Sequence, residues 1–71
     1  MKGDTKMRVS VGDRIRELRE ANGLSQYKLA QMTGINRSTI KRYEDNFITK
    51  ISFENLIKIA NVLNADVKDF L

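Results

Sequence analysis

Seventy-one residues allow one small domain, and at that size a chain buries only about 60% of its unfolded surface. There is no cysteine and no histidine, which excludes a disulfide staple and Cys/His zinc sites, while 41% hydrophobic residues argue against disorder throughout. The net charge of +4 is uneven: residues 1–44 hold ten Lys/Arg against five Asp/Glu, and residues 45–71 hold three against four. A basic first half fits a polyanionic partner, although a solvated basic surface would give the same count. No apolar run approaches the ~20 residues that cross a bilayer, and the first residues lack the apolar core of a signal peptide. The expected compartment is the cytoplasm, with no membrane partner.

Residues 1–10 lack helical periodicity and mix glycine with alternating charge, as in a flexible arm. Lys2, Lys6 and Arg8 would suit phosphates, though an end without a role reads the same way. Residues 11–71 form the expected domain. The first helix is expected over Val11–Asn22, with Ser10 as N-cap, Asp13 at the positive end of the dipole and Gly23 just past the end. Val11, Ile15, Leu18 and Asn22 keep the spacing of one face. Arg19 falls within about 40° of Ile15 on the helical wheel, so a charge sits on the apolar face and needs a partner.

The second helix is expected over Gln26–Met32 behind Ser25 as N-cap. Leu29 points inward, Ala30 is small enough for close helix approach, and Gly34 supplies the positive φ of a sharp turn. The third helix is expected over Arg37–Glu44, with Asn36 as N-cap. With Ile40 at the wheel origin, Tyr43 and Glu44 lie at about 300° and about 40°, and all three share the inward face. Ser38, Lys41, Arg42 and Asp45 spread over about 100–200°, opposite, with Arg37 on the flank. The inward Glu44 and inward Arg19 are opposite in sign, and a partly buried pair between them would tie the third helix to the first.

The connector 45–51, DNFITKI, is apolar at Phe47, Ile48 and Ile51, so it either tucks into the core or meets another protein. Asn46 can end the preceding helix in the left-handed conformation. The fourth helix is expected over Phe53–Leu63, capped by Ser52, with Phe53, Leu56, Ile57, Ala60 and Leu63 inward. Ile59 and Val62 widen that stripe toward a fifth helix or a second subunit. Asp66 caps a last turn, Val67–Leu71.

Two short helices joined at Gly34, with a hydroxyl and cations outward on the second, fit the helix-turn-helix geometry for a major groove about 12 Å wide. Together the motifs G-x-x-I-R-x-L-R (from Gly12), G-L-S-Q-x-x-L-A (from Gly23) and G-I-x-x-S-T-I-x-x-x-E (from Gly34) resemble the Cro/repressor-type, Xre-like helix-turn-helix family of bacterial and phage regulators over about residues 11–71. The resemblance implies an all-α, compact five-helix lambda-repressor-like DNA-binding domain. It gives Arg37, Ser38 and Arg42 the base-reading positions and places Asn36, Thr39 and Lys41 near bases or backbone. Gln26 matches a glutamine that contacts phosphate and braces the start of the third helix. Tyr27, at a usually polar position, puts its hydroxyl on a phosphate or lays its ring on the surface, and Lys50 is a backbone candidate in the connector. Arg19 and Glu44 match the family's buried ion pair, and the last helix with its surroundings matches the dimer interface.

The sequence departs from the family at Thr33, usually apolar, and at Asn46 and Asn64, where glycines are frequent. Its connector lacks the common proline and is about one residue longer. The expected function is sequence-specific binding of double-stranded DNA as a small transcriptional regulator, a repressor, acting as a homodimer on a palindromic operator. The alternative is a protein-interaction module of the same fold, for example antitoxin-like. An enzyme is not expected: without His or Cys, proton transfer would fall to carboxylates or lysines, no carboxylate pair shares a cleft, and no Gly-rich phosphate loop precedes a helix. No cofactor or metal is expected.

Overall fold

A computed structural model describes residues 10–70. The arm's candidates Lys2, Lys6 and Arg8 lie outside the described residues, as does Leu71. The helices are α1 (Val11–Ala21), α2 (Gln26–Thr33), α3 (Arg37–Glu44) and α4 (Phe53–Val62), followed by a 3₁₀ turn, Val67–Phe70. There is no strand among the described residues.

Each α-helix starts on a side-chain cap that satisfies an otherwise orphaned backbone N–H. Ser10 Oγ accepts from the Asp13 amide, Ser25 Oγ from Lys28, Asn36 Oδ1 from Ser38 and Ser52 Oγ from Asn55. The ends are equally specific. Gly23 and Gly34 sit at φ 69° and 77°, and Asn46 and Asn64 reach φ 63° and 58° where glycine is commoner.

α3 lies against α1 and α2, α2 also meets α4, and the 3₁₀ turn closes on α1 and α4. Ile15, Leu29, Ile40 and Ile59 are fully buried at the centre, joined by Leu56, Ala60, Leu63 and Phe70. Tyr43 is buried too, and its hydroxyl accepts from Asn55 Nδ2 at 2.9 Å, which ties α3 to α4.

Two expectations are corrected, and one left open is resolved residue by residue. The fifth helix is only one 3₁₀ turn, so the described residues form four α-helices. Its four residues are held by local side-chain bonds, the Asp66 amide to Asp69 Oδ2 and the Lys68 amide to Asp66 Oδ1, and it serves to seat Phe70 in the core. Phe53 and Ile57 do not face inward: they are 64% and 36% exposed, and Ile59 fills the core in their place. Within the apolar connector, Ile48 and Ile51 pack on the core whereas Phe47 stays 82% exposed.

α1 crosses α3 at very short range. A Cβ added at Gly12 would stand 1.9 Å from the Tyr43 carbonyl oxygen and 2.8 Å from Asn46 Oδ1. Gly12→Ala must therefore push α1 off the end of α3. Overpacking of this kind costs about 1–3 kcal/mol or more, and a domain of this size should lose about 10 °C or more in melting temperature. Thermal unfolding followed by circular dichroism checks this, and a melt within ~2 °C of wild type would show that no such contact exists.

Candidate nucleic-acid interface

The α2–α3 turn is built from a few local bonds. Gly34 donates to the Ala30 carbonyl at 2.8 Å. Thr33, at the position that is usually apolar, is buried with its hydroxyl satisfied: Oγ1 donates to the Leu29 carbonyl at 2.8 Å and accepts from the Ile35 amide at 3.2 Å. The hydroxyl thus back-bonds the preceding helical turn, which satisfies its own buried donor, and pins the first residue beyond the turn. Ile35 is buried beneath it.

From below, α3 is held by Glu44. Its side chain is fully buried, and its carboxylate accepts from Arg19 Nε at 2.7 Å, Arg19 Nη2 at 2.9 Å and Gln26 Nε2 at 3.0 Å. Arg16 Nε lies 3.5 Å from the same carboxylate, and Arg19 Nη1 donates to the Leu24 carbonyl at 2.7 Å. Burial alone would push the Glu44 carboxyl up, but the bonds from Arg19 and Gln26 and the charges of Arg19 and Arg16 together hold it below the usual range. The bond to Glu44 likewise raises the Arg19 guanidinium. Gln26 therefore grips the last residue of α3; the brace expected at the start of α3 is a brace at its end.

The outward side of α3 is different in kind. Arg37, Ser38, Lys41 and Arg42 are exposed, and Thr39 is half-buried. Among the described residues no carboxylate pairs with Arg37 or Arg42, whereas Lys41 Nζ is bonded to Asp45 Oδ2 at 2.6 Å. The Ser38 hydroxyl donates to Asn36 Oδ1 at 2.6 Å, so its proton is committed and its oxygen remains an acceptor. Tyr27, Ala30, Gln31, Gly34, Ile35, Asn36 and Arg37 line an open cleft between α2 and the start of α3. It gathers Tyr27, Asn36 and Arg37 from among the expected site residues, while Lys50 is exposed in the connector and does not line it.

Three contributors escaped the sequence reading. Gln31 lines the cleft one turn after Tyr27 on α2, and that spacing was the available signal. Arg16 reaches both Glu44 and Asp45 from α1, one turn before Arg19. The third is Asp45, on the outward face, whose carboxylate meets Lys41 Nζ at 2.6 Å and Arg16 Nη2 at 3.4 Å.

A cap-started helix braced at its far end, with exposed guanidinium groups outward and a tight left-handed turn before it, defines a helix-turn-helix unit. The chain belongs to the Cro/repressor-type helix-turn-helix family: the family profile described as Helix-turn-helix matches residues 15–70. A protein of Archaeoglobus fulgidus named as an HTH-type transcriptional regulatory protein is 36% identical over 83% of this chain, and the chain spans 20% of that relative's length. Among solved structures, the restriction-modification controller protein C.AhdI from Aeromonas hydrophila superposes with a TM-score of 0.81 at 36% identity, covering 86% of this chain and 91% of that one. The biofilm regulator SinR, in a structure with DNA, gives 0.80 at 33% identity over 82% and 92% of the two chains. The P22 c2 repressor, in complex with a synthetic operator, gives 0.82 at 25% identity over 90% and 96%. The fold is thus the lambda-repressor-like helix-turn-helix fold. No helix among the described residues is long and apolar enough to cross a membrane.

The buried carboxylate makes two expectations. Arg19→Met leaves Glu44 buried with most of its compensation gone, which should cost about 3–5 kcal/mol in urea unfolding. A carboxyl held low when folded stabilises fully above its unfolded pKa of about 4.3, and that stabilisation is lost as pH falls through the lower folded value. Unfolding free energies between about pH 5 and pH 2 should therefore fall steeply in wild type and more gently in Glu44→Gln. Parallel acid limbs in the two proteins would rule out Glu44 as the source.

Proposed function

We propose that this protein is a sequence-specific double-stranded DNA-binding transcriptional regulator, a repressor, acting in the cytoplasm as a homodimer on a palindromic operator. The observation that carries the reading is the outward face of α3. Arg37 and Arg42 present guanidinium groups with no carboxylate partner among the described residues, on a helix fixed from beneath by Glu44. In this reading α3 enters the major groove, and Arg37, Ser38 and Arg42 meet base edges. A forked guanidinium matches the O6 and N7 acceptors of guanine, at about 1–3 kcal/mol of discrimination each. Asn36, Thr39 and Lys41 flank them near bases or backbone, and Gln26, Tyr27 and Lys50 serve phosphates. The solved structures of SinR in complex with DNA and of the P22 c2 repressor in complex with a synthetic operator, both of this fold, support DNA as the partner.

One such domain would bury only about 600–1,000 Å² on DNA, and a two-fold dimer on half-sites about one helical turn apart supplies the rest. The apolar side chains left exposed in the connector and α4, Phe47, Phe53 and Ile57, are surface that a second copy would cover. The same residues support the alternative reading, a protein-interaction module of this fold. The basic outward face of α3 favours DNA over it, because a module that no longer reads DNA has no use for unpaired arginines there.

Selection of bound sites from random duplexes tests the reading and returns half-site and spacing together. Two inverted half-sites are expected. Arg42→Ala should relax one base-pair position per half-site and leave the others intact; an equal loss on every duplex would remove Arg42 from base reading. Recovery of no preferred sequence, with a partner protein retained by Phe47 and Phe53, would favour the alternative.

A further inference from the structure

Asp45 breaks two local rules at once. It is the C-cap of α3, where the helix dipole already places negative charge, and it stands at the end of the basic ridge. On the wheel it falls between Lys41 and Arg42, in line with Ser38, on the side proposed to face phosphates. Its carboxylate is engaged on both oxygens: Lys41 Nζ stands 2.6 Å from Oδ2, and Arg16 Nη2 stands 3.4 Å from Oδ1. The same Arg16 nitrogen lies 3.4 Å from the Glu44 carbonyl, so the second cation is anchored at the helix end as well. Lys41 bonded to Asp45 holds the carboxyl below its usual range. One anion thus meets two cations at the end of α3, Lys41 from its outward face and Arg16 from α1, where the Glu44 carboxylate also lies 3.5 Å from Arg16 Nε.

Resting on the reading above, we propose that Asp45 is a specificity-setting positioning residue: by holding Lys41 it subtracts charge from loose binding to any duplex, while aiming Lys41 for the fully docked complex. Non-specific association is almost entirely a count of free cations against phosphates. Lys41 bonded to Asp45 drops out of that count. The base contacts of Arg37 and Arg42 involve no such pair, so the docked complex on the preferred site keeps them. There, a Lys41 held in one geometry loses less side-chain freedom on contact than a free one. Asp45 therefore lowers affinity for arbitrary DNA more than affinity for the operator.

The test is binding of wild type, Asp45→Asn, Asp45→Glu, Lys41→Ala and the Lys41→Ala/Asp45→Asn double variant to the selected duplex and to an unrelated duplex of equal length, across a salt series. Melting curves confirm that each variant is folded. Asp45→Asn should tighten binding to the unrelated duplex about fivefold and steepen its salt exponent by about one. Its affinity for the selected duplex should change less than twofold, so the ratio of the two falls. Asp45→Glu should restore the ratio. In the Lys41→Ala background, Asp45→Asn should shift both duplexes by one common factor. Equal tightening on both duplexes in the wild-type background would make Asp45 a simple surface charge and overturn the proposal, as would an unchanged ratio. Failure of wild type to bind any duplex would overturn the DNA reading along with it; specific wild-type binding with a flat ratio would overturn the Asp45 proposal alone.

Discussion

Everything that positions the basic face passes through one buried carboxylate. Glu44 closes α3, and it is gripped by Arg19 from α1 and Gln26 from α2. Three helices are fixed by one group whose charge cannot be left unpaired in a dry interior. A hydrophobic contact there could slide; a carboxylate that needs particular donors at particular angles cannot. The pair is a weak source of net stability, because desolvation offsets much of its attraction. Its value is geometric: it sets the angle at which α3 leaves the body. Leu24 extends the constraint, since Arg19 also holds its carbonyl and thereby the loop into α2.

The turn and the connector complete that constraint with polar side chains where glycine or an apolar residue would be usual. Thr33 fills its buried site with a methyl and spends its hydroxyl on two backbone groups of the turn. Asn46 adopts φ 63° as a glycine could, but its side chain also accepts from Ser10 Oγ at 2.8 Å and donates to Asp13 Oδ1 at 3.2 Å. A glycine could make neither bond. The connector is therefore stitched to the start of α1 beside the point where Gly12 meets the Tyr43 carbonyl. The departures from the family pattern at these two positions are alternative solutions to the same geometric demand.

Much of this was legible in the residues, and the exceptions share a cause. Helix boundaries and caps are local chemistry, so Ser10, Ser25, Asn36 and Ser52 could be read directly. Arg19 and Glu44 were legible as inward charges, because a wheel reports which face a residue is on. What a wheel cannot report is which neighbour that face meets. The α4 stripe shows the difference: Phe53, Leu56, Ile57, Ala60 and Leu63 and the stripe through Leu56, Ile59, Ala60 and Leu63 are both helical. Only the positions of α2 and the 3₁₀ turn decide for Ile59 and leave Phe53 in solvent. Gln26 failed in the same way. Its location at the start of α2 is local, but its bond to the far end of α3 depends on the crossing of two helices.

The outward and inward faces of α3 differ in what their charges are allowed to do. On the inward side each charge has its partners supplied, so its energy is fixed before any ligand arrives. On the outward side Arg37 and Arg42 have no carboxylate partner among the described residues, which is the condition that the proposed base contacts require. Ser38 is intermediate, with its proton given to Asn36 and only its acceptor left to offer. Lys41 is intermediate in another way, held by the Asp45 carboxylate while its exposed ammonium group keeps further donors. Preorganisation thus fades by degrees from Glu44, where nothing is free to rearrange, through Lys41 and Ser38, to the two arginines. The proposed DNA-binding function gives that gradient a use: a rigid base would keep contacts in register, and hydrogen-bonding capacity is left unspent only at the surface proposed to meet the bases.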